Sequence, residues 1–250
     1  MEELMIVDAN ANVGPTVYDD FEFEPTLEEL SSQLTSAGID QALVAPLKPP
    51  SFDFDRANAR LAEEITDHEM FRGIARIDPR VSKAPRHARQ AIDRYGFCGI
   101  KLHPRKESFK ITDGTANPVL EVAADRDVPV WIHAGYPAVS HSLSIREVAN
   151  KFPDVTFILT HAAQLDISGL SITDTLLLAK DTENTVFELS GVYRMDLVSD
   201  LVETAGADRV VFGTNAPDFH PEVEKTRVTE ATISEKNKRA ILSESILQII

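Results

Sequence analysis

The stretch VDANANVG, Val7–Gly14, sets the pattern on which the fold is read. An apolar run, Met5-Ile6-Val7, leads into Asp8, and two amide side chains then alternate at Asn10 and Asn12. In a strand, residues two apart project to the same side. The stretch therefore predicts a strand that leaves an apolar core and presents a pair of amides at its outgoing end.

The same passage from apolar run to polar end recurs along the chain. It predicts strands at Met5–Asp8, Gln41–Pro46, Phe71–Ile77, Cys98–Leu102, Pro129–His133, Thr156–Thr160, Val186–Ser190 and Arg209–Gly213. Runs such as VTFIL and RVVFG are apolar almost throughout, as strands buried on both faces of a parallel sheet are. Amphipathic segments lie between them. TLEELSSQLTSAG places Leu27, Leu30 and Leu34 on one helical face, with Thr26 as N-cap, Glu29 three residues later and Gly38 at the stop. Pro118 suits a first helical turn, and SEKNKRAILSESILQII reads as a last helix.

Eight strands, each followed by a helical segment, predict a (β/α)8 barrel of the TIM type. A doubly wound open sheet is the runner-up. No G-x-G-x-x-G follows a strand, which weakens a dinucleotide-binding reading. No linker divides the chain, so residues 1–250 read as one domain.

The composition, 43% hydrophobic over 250 residues, is enough for one large core. A net charge of -15 argues against nucleic acid or an anionic membrane as the main partner. The single cysteine, Cys98, forms no intrachain disulfide, and its apolar setting predicts a small core residue rather than a nucleophile. No basic leader or membrane-length apolar run is present, so a soluble cytoplasmic protein is the default expectation.

Active sites of such barrels form at the outgoing ends of the strands. There the sequence places Asp8, Asn10 and Asn12, then Lys101 and His103 in GIKLHP, His133, His161, Glu188 with Ser190, and Asn215 with Asp218 and His220. Three of the seven histidines, His103, His133 and His161, end consecutive strands. His68 and His87 fall in helical segments and read as surface residues; His141 and His220 read as loop residues. Each site residue alone has a plain structural reading. A lone histidine is commonly a hydrogen-bonded core group, Asn and Asp are turn formers, and Lys101 pairs readily with a carboxylate such as Glu188.

On D-x-N-x-N, GIKLHP, VPVWIHAG, FPDVTFILTHAA and RVVFGTNAP, the chain resembles the amidohydrolase-related superfamily over nearly its whole length. The branch is that of the amidohydrolase-2-type hydrolases and decarboxylases. The resemblance implies a metal-dependent (β/α)8 barrel with D-x-H-x-H on strand one, a histidine each on strands five and six, and an aspartate on strand eight. Carried over residue by residue, His133 and His161 match the strand-five and strand-six ligands. Asn10 and Asn12 stand at the two strand-one histidine positions, and Asn215 stands at the aspartate position. The implied cofactor is one divalent metal, zinc or manganese, at His133 and His161. Zinc takes imidazole, thiolate or carboxylate donors, whereas Asn supplies only a neutral oxygen. An amide also cannot serve as the general base of a metal-activated water.

Three functional readings follow. The first is a hydrolase-like relative with a degenerate metal site, in which Asn10, Asn12, Lys101, His103 and Asn215 line a pocket for a small polar or carboxylate ligand. The second is an active hydrolase or decarboxylase with a centre rebuilt on His103, His133 and His161. The third is a nonenzymatic scaffold or binding protein, including a homo-oligomer. The acidic stretch Thr16–Pro25 reads as a lid, a contact surface or a solvated loop.

Overall fold

The apolar runs form a ring of parallel strands in the computed structural model, which describes residues 4–18, 21–165 and 170–250. The first strand, β1, spans Val7–Val13. A short antiparallel hairpin follows, β2 (Thr16–Tyr18) with β3 (Phe21–Phe23). The acidic stretch expected as a loop is thus partly strand; its Asp19 and Asp20 lie outside the described residues. The remaining strands are β4 (Gln41–Pro46), β5 (Phe71–Gly73), β6 (Ala75–Arg76), β7 (Ile100–Leu102), β8 (Val130–Ile132), β9 (Phe157–Leu159), β10 (Thr185–Glu188) and β11 (Val210–Val211).

Their order is β1-β4-β5 in one sheet and β6 through β11 in sequence in the other. The two sheets are one ring. β5 and β6 are halves of a single strand interrupted at Ile74, whose N–H reaches the Val44 carbonyl at 2.8 Å while the Ala75 N–H reaches Gly99 on the other side at 2.9 Å. The last strand region bonds back to the first: Ala9 N–H to Phe212 O at 2.9 Å, Asn215 N–H to Asn10 O at 2.6 Å, and Asn12 N–H to Ala216 O at 2.8 Å. With β5 and β6 counted as one, this is the eight-stranded barrel expected from the sequence.

Helices α1 (Leu27–Ser36), α2 (Phe54–Ile65), α3 (Ala84–Tyr95), α4 (Asn117–Arg126), α5 (Ser142–Lys151), α6 (Leu170–Asp181), α7 (Met195–Ala205) and α8 (Pro221–Thr229) separate the strands. The chain ends in α9 (Glu235–Arg239), a π-helical turn over Ala240–Glu244 and α10 (Ser245–Leu247). The capping box read at α1 forms: Thr26 Oγ1 accepts from the Glu29 N–H at 3.2 Å, and Glu29 Oε2 accepts from the Thr26 N–H at 3.0 Å. Among the described residues, no helix is long and apolar enough to cross a membrane.

The core has two layers. One lies between strands and helices. The other fills the barrel interior with Val7, Ala9, Leu43, Ala45, Ile74, Trp131, Ile158, Val186 and Val211, and the chain's last residues, Ile246 to Ile250, pack against it. Trp131 is the largest fully buried side chain, and its indole N–H donates to the Ala9 carbonyl at 2.9 Å. A Cβ at Gly99 would lie 2.4 Å from the Trp131 ring, so only glycine leaves room for it. Cys98 packs at the margin of this layer, half-buried rather than fully buried, and burial pushes its thiol up to about 11.

β1 carries a feature the sequence does not announce. Its register with β4 slips between Asp8 and Ala11, so one extra residue is accommodated there. Val7 and Ala9 face the interior layer, and strict alternation would then turn Asn10 and Asn12 outward. The slip reverses the parity: Ala11 and Val13 join the outer layer instead, and the two amides face the barrel mouth.

Trp131→Ala removes the interior's largest side chain and its bond to Ala9. The expected loss is about 3–5 kcal/mol of unfolding free energy, measured by urea denaturation. A loss under about 1 kcal/mol would contradict this account of the core.

Candidate functional site

Of the strand-end residues singled out above, all but Asp218 and His220 are buried, and most meet in one hydrogen-bonded cluster. Lys101, on β7, is its centre. Its Nζ donates to Asn10 Oδ1 and Asn12 Oδ1, both at 2.7 Å. A lysine nitrogen only donates here, so the atoms facing it are the amide oxygens. The amide nitrogens then point to other acceptors. Asn10 Nδ2 donates to Glu188 Oε2 at 3.0 Å, and Asn12 Nδ2 donates to Asn215 Oδ1 and Ala216 O, both at 3.1 Å. Asn215 Nδ2 continues the chain to Asp218 Oδ2 at 3.1 Å. The pairing of Lys101 with Glu188 considered above is replaced by this route: Asn10 stands between them.

Glu188, at the end of β10, receives the Ser190 N–H at 2.6 Å and the Ser190 hydroxyl at 2.8 Å. Burial drives its carboxyl up to about 7, against the pull of the Ser190 donors. Burial drives Lys101 the other way, down to about 7, with the nearby Arg76 charge adding to it. Asp8 serves the frame instead of the mouth. It accepts from the Thr214 hydroxyl at 2.5 Å and from the backbone N–H groups of Thr214 and Asn10, each at 2.9 Å, tying the first strand to the last.

The three histidines lie side by side. The rings of His103 and His133 are stacked, 3.8 Å between centroids and 12° between planes. His161 meets His133 edge-on at 4.6 Å and 77°. All three have their pKa pushed below the ordinary histidine value, by burial first, and His161 falls to about 4. They are neutral at pH 7. His103 Nδ1 accepts the Lys106 N–H at 3.2 Å, which places its proton on Nε2. His161 Nδ1 is 2.9 Å from the Ser190 carbonyl, so it donates, and Nε2 keeps its lone pair. That Nε2 is buried with no hydrogen-bond partner. His161 also stands at φ 59°, followed by two alanines with positive φ, a conformation non-glycine residues adopt at a cost.

Coordination requires lone pairs that converge on one point. An imidazole lone pair lies in its ring plane, and two nearly parallel planes do not intersect close to the rings. His103 and His133 therefore cannot both ligate one ion as they stand, and the three-histidine centre considered above does not assemble. His133 and His161 are perpendicular and remain a compatible pair. The amide oxygens at the other family positions are engaged, two by Lys101 and one by Asn12. Among the described residues, no group of three His, Cys, Asp or Glu side chains is placed to hold a metal ion.

Several residues of the mouth were not singled out from sequence. Tyr136 lies over the histidine pair, 5.6 Å from His133 and 6.3 Å from His103, with the Arg105 guanidinium 4.8 Å above its ring. Its spacing three residues after His133 was the available signal. Arg76 ends β6 and pairs with Glu107 at 2.8 Å, both buried. His220, His68 and His87 stand apart from the cluster, and His141 caps α5 beside Asp174 at 3.3 Å.

A parallel barrel with a histidine- and amide-lined mouth defines the general class, a TIM-barrel protein with its site at the strand ends. The chain belongs to the amidohydrolase family, whose sequence profile matches residues 13–245. No curated protein sequence is matched. Among solved structures, the chain is similar to a 2,6-dihydroxybenzoate decarboxylase complexed with 2,6-dihydroxybenzoate, at 14% identity, 99% coverage of both chains and a TM-score of 0.77. It is similar to 5-carboxyvanillate decarboxylase from Sphingomonas paucimobilis, at 15% identity, 99% coverage of both and a TM-score of 0.77. A dihydroxybenzoic acid decarboxylase from Polaromonas sp., with bound manganese and 2-nitroresorcinol, matches at 16% identity and a TM-score of 0.78, covering 99% of this chain and 97% of that one. At these identities the likeness establishes a shared fold.

The depressed Lys101 pKa has a consequence for stability. From about pH 7 up to its ordinary value of 10.5, the unfolded chain holds a proton on this residue that the folded chain does not. Stability therefore gains from Lys101 as pH rises through that window. Lys101→Met is expected to reduce the slope of unfolding free energy against pH between pH 7 and about pH 10, with a smaller slope remaining from Lys106, which is shifted in the same direction. Parallel slopes for the two proteins in urea titrations would count against a buried, desolvated amine.

Proposed function

We propose that this chain is a member of the amidohydrolase family that works without the family's metal ion, binding a small polar or carboxylate compound at the barrel mouth. The observation that carries the reading is Lys101 Nζ at 2.7 Å from both Asn10 and Asn12 Oδ1. The two strand-one positions that the family uses as metal ligands are spent on an internal amine. Asn215, at the family's aspartate position, accepts from Asn12 and brings no negative charge. Two histidine nitrogens remain, and no carboxylate completes a set with them among the described residues. This donor set does not fit zinc or manganese, and no step is assigned to either.

The ligand class follows from the lining. Lys101 supplies a donor and a positive charge when protonated, neutral His103 supplies an Nε2 N–H, and His161 Nε2 supplies an acceptor. Such a mixture suits a small compound with carboxylate or carbonyl oxygens and a hydroxyl. The dihydroxybenzoate bound in one similar structure has those groups.

The second reading, a metal-dependent hydrolase or decarboxylase with a rebuilt centre, draws support from one feature. His161 Nε2 is a bare, buried lone pair set perpendicular to the His133 ring. The manganese in the Polaromonas structure makes that reading worth the same test.

The two readings separate on metal content per chain. Untagged protein, purified without chelator and then exposed to zinc or manganese, is expected to retain far less than one equivalent after desalting. Calorimetric titration of the same metal-free protein with 2,6-dihydroxybenzoate is expected to give saturable binding that Lys101→Met weakens by about tenfold or more, the scale of a charged hydrogen bond. Stoichiometric metal that survives desalting would replace the first reading with the second.

A further inference from the structure

We propose that the cleft between helix α2 and the loops that follow β1 and β4 is a binding site of its own, for a small monocarboxylate with an apolar ring body whose carboxylate is held by Arg56. The site is separate from the polar cluster at the strand ends, which contributes no residue to its lining.

The cleft has a volume of about 340 Å³, at the lower end of the roughly 300–1,000 Å³ typical of small-molecule sites. Its base is apolar and buried, made by Val13, Leu47 and Leu61. Pro15, Pro46, Pro49 and Pro50 line its sides. A proline ring fixes φ and removes the backbone N–H. These sides therefore hold their shape without a ligand and offer water no backbone donor. Burying apolar atoms against such a surface is favourable, and a preformed cleft avoids the cost of ordering a loop on binding. Gly14 forms one corner at φ 91°, and a Cβ there would meet no atom within 4 Å, so the space beside it is open.

The charge at the cleft selects the head group. Arg56 and Arg60 stand one turn apart on α2, on the same face, and both line the cleft. Arg60 is committed, meeting Glu24 at 2.8 Å and Glu64 at 2.6 Å. Lys48, on the loop after β4, donates to the Lys106 carbonyl at 3.1 Å. Arg56 is exposed, and its guanidinium pairs with no side chain among the described residues. The two carboxylates of the lining are engaged. Asp53 accepts the Arg56 backbone N–H at 3.0 Å as the N-cap of α2, and Glu64 holds Arg60. A guanidinium donates two parallel hydrogen bonds to a carboxylate. One free guanidinium beside apolar walls thus matches an apolar acid with a single negative group.

The test is calorimetric titration of the full-length, untagged protein near pH 7 with 2-naphthoate, and with 2-naphthamide as the uncharged match. The expected result is saturable binding of the acid at one site per chain. Arg56→Gln and replacement of the carboxylate by the amide should each weaken it by about tenfold, the scale of a charged hydrogen bond. Ala57→Phe, which places a ring in the cleft from a half-buried position on α2, should abolish it. Lys101→Met, at the barrel mouth, should leave it unchanged. Melting midpoints near that of the parent protein establish that the variants fold. Absence of saturable binding, or binding that survives Ala57→Phe, overturns the site. Binding lost in Lys101→Met and kept in Ala57→Phe moves the acid to the barrel mouth and also overturns it. Equal affinity for acid and amide, unchanged by Arg56→Gln, overturns the carboxylate assignment.

Discussion

A lysine sealed inside a barrel, its nitrogen held by two amide oxygens, is the constraint around which this structure is arranged. Placing an amine out of water is costly unless each of its protons meets an acceptor. Asn10 and Asn12 provide the acceptors, and their own nitrogens then need partners. Glu188 and Asn215 answer that need, Ser190 and Asp218 answer theirs, and the network extends to His161. Nearly every polar group at the strand ends is committed to another. His161 Nε2, like Arg76 Nε and Glu107 Oε2, is a buried exception to that rule.

The barrel wall makes this possible. Below the polar mouth, the Trp131 layer fills the interior and excludes water. Asp8 and Thr214 fasten the first strand to the last, so the ring closes beside the cluster it must hold. The same burial that secures the core moves Lys101 down and Glu188 up until both stand near 7.

Membership of the amidohydrolase family explains the scaffold and sharpens what is unusual about the site. The fold carries many chemistries, and it is the residues at the strand ends that choose among them. Here the donors expected of a metal site are amides turned inward on an amine. The similar structures include manganese-bearing decarboxylases of aromatic acids. The similar structures as a group share the fold at TM-scores of 0.76–0.78, yet identity of 13–18% leaves the choice of chemistry to each chain's own side chains.

The sequence by itself determined the barrel. Apolar runs of strand length alternating with amphipathic helices leave few ways to bury both faces of a parallel sheet. The polar ends were legible for the same reason: Lys101, His103, His133 and His161 stand where an apolar run stops. The hairpin at Thr16–Phe23 was missed because its acidic residues mask a weak alternation. What tertiary structure alone decided is which of these groups face one another. The slip in β1 turns Asn10 and Asn12 inward, and it arises from pairing with β4, a partner distant in the chain. The stacking of His103 on His133, which separates their lone pairs, and the placement of Asn10 between Lys101 and Glu188 depend on ring geometry. Spacing along one strand fixes the face a side chain takes; only the closed ring fixes what stands opposite.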